Sequence, residues 1–162
     1  MTAKQQHQVV RDGRRLVVLV CGARDWTQRA VIKEWLAKLH PGSIVVHGGC
    51  GKRDDKGVAI EGADLIAADV ARELGLEVRA YPVDHALDGP WPGAGPRRNQ
   101  RQLDAEQPDV VLAFTYALRK PGNQPTGTGD MCLRAVEAGV RVTIIPPKRL
   151  EAQSLLAKAG EP

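Results

Sequence analysis

Two hydrophobic patterns take turns along this chain. Continuous apolar runs at 16–21 and 110–114 lack polar alternation, as strands buried on both faces of a sheet do, and 43–47 gives a further strand. Residues 77–81 and 141–145 complete a set of five expected strands. Between the strands the spacing becomes helical. Ala30, Val31, Trp35, Leu36 and Leu39 lie near one face of a helix that Thr27 is placed to cap and Pro41-Gly42 to stop. Leu65, Ile66, Ala68, Val70 and Leu74 repeat the pattern over 63–74, with Gly75 as terminator. Further helices are expected from Pro96 or Arg97 to Glu106, over 128–138 and over 150–159. Strict strand–helix alternation predicts an α/β fold: one Rossmann-like, three-layer domain built on a mainly parallel five-stranded sheet. Ligands of such sheets sit at the carboxyl ends of the strands, near the switch point in strand order.

The intervening segments are polar or turn-rich. Residues 1–14 read as a flexible basic leader ahead of a single domain over 15–162. Residues 50–61 read as a charged insertion: a solvated loop, a ligand lid or a subunit contact. Residues 82–96 hold four prolines and three glycines and are expected to be irregular. Among 162 residues there are three Trp, two Tyr and one Phe, which argues against the aromatic platforms of single-strand-binding proteins. The net charge of +4 is concentrated in Lys4, Arg11, Arg14 and Arg15, so a general nucleic-acid footprint is not supported. No apolar run approaches the roughly 20 residues of a membrane span. Three cysteines without a CxxC pair suit free thiols and a cytoplasmic setting.

Candidate chemistry gathers at five glycine-bearing junctions: Cys21-Gly22-Ala23-Arg24-Asp25, His47-Gly48-Gly49-Cys50-Gly51, Gly62-Ala63-Asp64, Gly95-Pro96-Arg97-Arg98-Asn99 and Thr126-Gly127-Thr128-Gly129-Asp130. Glycine permits close backbone approach, and a glycine turn opening a helix directs free N–H groups and the helix dipole at an anion. Arg24 suits a phosphate clamp and Asp25 a ribose hydroxyl, or the two form a turn salt bridge. His47 suits phosphate binding, proton transfer or a strand-end carbonyl. Pairing it with Cys50 gives too few ligands for a metal site, and Gly48–Lys52 lacks P-loop spacing. Arg97 and Arg98 at a helix start oppose the dipole, a conflict that a bound anion relieves. The alternative pairs them with Asp104 or Glu106. Thr126, Gly127, Thr128 and Gly129 suit a phosphate-holding turn or a plain threonine cap. Trp26 and Trp35 read as packing residues and Trp91 as a candidate lid over a base.

Taken together, in order and spacing, these motifs resemble the SLOG superfamily, most closely its YspA-type (cpYpsA-related) branch, over roughly residues 16–145. The resemblance implies a Rossmann-like domain that senses, sequesters or processes nucleotides or their derivatives, often in bacterial conflict or stress systems. It implies homodimers or higher homo-oligomers and no required cofactor. Distant relatives are the LOG phosphoribohydrolases and the DNA-binding DprA proteins. The chain departs from the LOG pattern GGxGTxxE, because Met131 stands at the catalytic glutamate position, while Arg98 matches the accompanying arginine. A thioether cannot act as a carboxylate.

The expectation is a nucleotide-binding sensor or sponge without a metal. Its ligand would contact Gly22, Arg24, Asp25, His47, Gly48, Gly49, Gly62, Ala63, Asp64, Pro96, Arg98, Asn99, Thr126, Gly127, Thr128, Gly129 and Asp130. The alternative is an enzyme that cleaves an N-glycosidic bond with Asp130 or Asp64 as carboxylate. A second alternative is DprA-like nucleic-acid binding.

Overall fold

The structure, a computed structural model, describes residues 13–149. In chain order the elements are β1 (Val17–Gly22), α1 (Arg29–Leu36), β2 (Ile44–His47), β3 (Lys52–Arg53), β4 (Ala59–Glu61), α2 (Ala63–Glu73), β5 (Glu77–Ala80), α3 (His85–Asp88), α4 (Ala94–Glu106), β6 (Val110–Phe114), α5 (Gly127–Glu137) and β7 (Arg141–Ile145). Five strands form one sheet in the order β5-β2-β1-β6-β7, every pairing parallel. This is the expected Rossmann-like α/β fold. The strand order reverses direction at β1, so the switch point lies where β1 and β6 end side by side, at Gly22 and Phe114.

Alternation along the buried strands distributes side chains to two cores. Val18, Val20, Leu112 and Phe114 pack with Ile32, Trp35 and Leu36 of α1 and Ile66 and Val70 of α2. On the opposite face Leu19 and Val111 meet Leu103 of α4 and Met131 and Ala135 of α5. Trp26 and Trp35 are buried, as their packing role requires.

Helix starts differ from the sequence expectation for local reasons. Thr27 does not cap α1. Gln28 takes the cap position, and its side chain instead brackets the backbone of Lys148, accepting from N at 2.8 Å and donating to O. Helix α1 ends at Leu36, with buried Leu39 in the following turn. Helix α4 begins at Ala94, two residues before Pro96, which proline tolerates because first-turn N–H groups need no helical acceptor. Helix α5 begins at Gly127, capped by Thr126, whose Oγ1 accepts from Gly129 N at 2.9 Å.

Two segments read as irregular are ordered. Within 50–61, β3 and β4 form an antiparallel hairpin about an Asp54 turn, where Asp54 Oδ1 accepts from Lys56 N and Val58 N, each at 2.9 Å. Asp69 of α2 holds it through Arg53 Nη1 and Ala59 N, both at 2.8 Å. In 82–93, Asp84 caps α3 and the buried Asp88 takes a two-pronged bond from Arg101 at 2.8 and 2.9 Å. That guanidinium holds the Asp88 carboxyl down at about 2. The leader, apart from its last two residues, and the expected helix over 150–159 lie outside the described residues.

Gly22 fixes how closely these layers meet. A Cβ there would stand 2.2 Å from Phe114 O and 2.5 Å from the Cβ of Ala63. Gly22→Ala should therefore lower unfolding free energy by about 3 kcal/mol in a urea titration. Gly127→Ala, whose Cβ meets nothing within 4 Å, should stay within about 0.5 kcal/mol of wild type.

Candidate functional site

The carboxyl ends of β1, β2 and β6 and the first turns of α2 and α5 border one region. Its organising group is the peptide of Gly48. Gly48 N and Cys50 N donate to Asp64 Oδ2, each at 3.1 Å, while Arg98 Nη1 donates to Gly48 O at 2.6 Å. Arg98 Nη1 also reaches Tyr81 O at 2.9 Å, and its Nε bonds Asn99 Oδ1 at 3.2 Å. Asn99 Nδ2 continues to Gly127 O at 3.2 Å and Asp130 Oδ2 at 2.9 Å. One chain of bonds thus joins Asp64, Gly48, Arg98, Asn99, Asp130 and the start of α5.

The glycine cradle after β2 is filled by the protein itself. Asp64 takes two of its N–H groups, and His47 Nδ1 accepts the third, Gly49 N, at 3.0 Å. Gly48 is glycine because the Arg98 guanidinium would lie 2.7 Å from a Cβ. Gly62 and Gly51 lie back to back: both have positive φ, and a Cβ on Gly62 would meet the Gly51 Cα at 2.5 Å. Gly129 gives way to Leu118 O, 2.0 Å from its Cβ position. Gly127 has no such reason. Its Cβ direction is open, above the first turn of α5.

The expected conflict of Arg97 and Arg98 with a helix dipole is relieved without an anion. Both lie in the second turn of α4 and donate to carbonyls, Arg97 to Asp88 and Pro90. Neither pairs with Asp104 or Glu106. Arg98, 9% exposed, keeps Nη2 without a hydrogen-bond partner among the described residues. Arg24 is exposed and makes no hydrogen bond or ion pair among the described residues, and its charge is felt at Asp64. Asp25 is exposed too and does not pair with Arg24. Pro96 has neither a backbone N–H nor a polar side chain to offer a ligand. Thr128 is buried in the first turn of α5.

Burial sets the protonation states. It pushes the Asp64 carboxyl up to about 6, against the opposing pull of the Cys50 N–H, the Arg98 charge and the Gly48 N–H. Burial, helped by the charges of Arg72, Arg53 and Arg98, lowers His47 to about 4. His47 is therefore neutral at pH 7, with its proton assigned to Nε2, which has no hydrogen-bond partner among the described residues. It offers a phosphate no charge. Asp130 is held by Asn99 and by Arg134 Nε at 2.9 Å, as a strut between α4 and α5. Met131 points into the core beneath α5, 2% exposed, so no side chain at that position reaches the sheet edge.

Two features escaped the sequence reading. Cys21, at the end of β1, lies close enough to Cys132 of α5 for the two thiols to interact, and that interaction, with burial, raises the Cys21 thiol well above its ordinary value. Tyr116 stands exposed just beyond β6. The signal for Tyr116 was its place two residues past a fully buried strand. The cysteines, more than a hundred residues apart, gave none. Among the described residues no group of three His, Cys, Asp or Glu is placed to hold a metal. No helix there is long and apolar enough to cross a membrane. A depression of about 660 Å³ lies away from this edge, between α4 and α5, and its Arg97, Arg101 and Arg134 are already bonded.

The Asp64 carboxyl binds its proton more readily folded, at about 6, than unfolded, at 3.8. Ionising it costs folding free energy, so wild type should lose stability relative to Asp64→Asn as pH rises from about 4 to about 6, by on the order of 2–3 kcal/mol. Urea midpoints across that range check this; a pH-independent difference contradicts it.

No protein-family model matches this chain, and no curated protein matches it.

Proposed function

We propose that the carboxyl edge of the sheet binds a nucleotide or nucleotide-derived phosphate ester, in the manner of a sensor or sequestering protein of SLOG type. The observation that carries the reading is the open first turn of α5 at the switch point. Gly127 has no packing requirement for glycine, and first-turn N–H groups of a helix lack helical acceptors. The phosphate sits there rather than at the Gly48–Cys50 cradle, whose donors Asp64 and His47 already occupy. Arg24 supplies exposed positive charge, and Arg98 supplies Nη2 from a fixed position. Gly48, Asn99 and Asp130 then act as supports.

One observation favours an enzymatic reading. A buried carboxyl whose folded value is about 6 is poised for proton transfer near neutral pH, and Asp64 Oδ1 is not used in the cradle. In an N-glycosidic cleavage Asp64, not the tethered Asp130, would be the acid. Asp64→Asn should then still bind a nucleoside monophosphate but release no free base; equal turnover in that variant removes Asp64 from the chemistry.

For the binding reading, Arg24→Ala and Gly127→Leu should each keep the wild-type Tm. Each should weaken binding of nucleoside 5′-monophosphates about 10-fold in isothermal titration calorimetry. Unchanged affinity in both variants contradicts a phosphate at this turn.

A further inference from the structure

We propose that Tyr116 and Asp25 recognise the aromatic ring of the ligand, Tyr116 by stacking and Asp25 by accepting a hydrogen bond from a ring-edge N–H or amino group. The inference rests on the phosphate reading above and adds the class of group attached to that phosphate: a planar nitrogen heterocycle with a donor on its edge.

The Tyr116 ring is fixed from behind. Trp26, 0% exposed, packs edge-on against Phe114 with ring centroids 5.7 Å apart, and its Nε1 donates to Gln28 O at 3.0 Å. Tyr116 leans on that indole at 5.6 Å and 40°, yet keeps 54% of its surface exposed. A lone exposed tyrosine needs no explanation. This one tops a ladder of three rings at the switch point, so a stacking partner gains contact without ordering a mobile side chain.

The ring is also tied to the phosphate turn. Two residues on, Leu118 O accepts Thr126 N at 2.9 Å and Thr126 Oγ1 at 3.1 Å, and Gly129 packs directly against it. The same loop thus carries the aromatic face and clamps the start of α5, which sets the separation of ring and phosphate subsites. Charge assigns the ends. The positive groups, Arg24 and the α5 terminus, suit the phosphate. Asp25, whose charge is felt at the Tyr116 hydroxyl, repels phosphate and suits a donor. Neither the Asp25 carboxylate nor the Tyr116 hydroxyl has a hydrogen-bond partner among the described residues.

The test is calorimetry with inorganic phosphate, ribose 5-phosphate and the four ribonucleoside 5′-monophosphates on wild type, Tyr116→Ala, Tyr116→Phe and Asp25→Asn. At least one nucleotide should bind wild type ~10-fold or more tighter than ribose 5-phosphate. Tyr116→Ala should erase that advantage while leaving ribose 5-phosphate binding and Tm unchanged. Tyr116→Phe should retain it, and Asp25→Asn should change the ranking among the four bases. Equal wild-type binding of nucleotide and sugar phosphate, or equal losses for both in Tyr116→Ala, overturns ring recognition and leaves the phosphate reading standing. No binding of any probe overturns both.

Discussion

The peptide of Gly48 is held from both faces of the sheet at once. Its N–H is bonded by a carboxylate from α2, and its carbonyl by a guanidinium from α4, helices that belong to opposite layers. Neither partner tolerates simple removal. Without Arg98, the carbonyls of Gly48 and Tyr81 lose their donor; without Asp64, two loop N–H groups lose their acceptor. A buried polar group left unpaired costs roughly 1–3 kcal/mol, so each contact demands the others. The clamp sets where β2 ends, how α2 begins and where Arg98 directs its remaining donor.

That constraint divides the glycines into two kinds. Gly22, Gly48, Gly51, Gly62 and Gly129 are glycine because protein atoms occupy the space a side chain needs. They bring two helical layers close to the strand ends and are structural in origin. Gly127 belongs to the other kind, with open space before it. On the binding reading proposed above, the division favours the start of α5 over the cradle after β2 as the phosphate subsite. It also leaves Arg24, in the loop after β1, as an exposed cation with no hydrogen bond or ion pair among the described residues.

The architecture was legible because both-face burial leaves a mark in composition. The runs ending in Cys21 and Phe114 contain nothing a solvent-facing strand would carry, residues 44–46 are apolar throughout, and each marks a strand of the observed sheet. The hairpin was not legible. Lys52 and Arg53 are exposed, so no apolar alternation marks β3, and its anchor is Asp69, which reads as an ordinary surface carboxylate. At the site, residue types were legible but their partners were not. His-Gly-Gly reads as an empty nest because the carboxylate that fills it comes from Asp64, beyond an inserted hairpin. Arg97 and Arg98 read as cations in need of an anion because their acceptors are backbone carbonyls, which no residue type announces. Those of Arg97 lie in the segment before α4, and those of Arg98 at the ends of β2 and β5. Met131 was visible as a departure from the LOG pattern, and its burial supplies the reason: the helix turns that position inward.

Around this edge lie an exposed cation, Arg24, whose charge reaches Asp64, and an anionic, aromatic pair, Asp25 and Tyr116. The most direct measurement of the central claim is amide chemical-shift mapping of the isotopically labelled protein during titration with nucleoside 5′-monophosphates. The account predicts saturable shifts at Arg24, Gly127 and Thr128, with the Gly48–Cys50 amides little changed because Asp64 and His47 retain them. Absence of shifts, or shifts confined to the groove between α4 and α5, would contradict it.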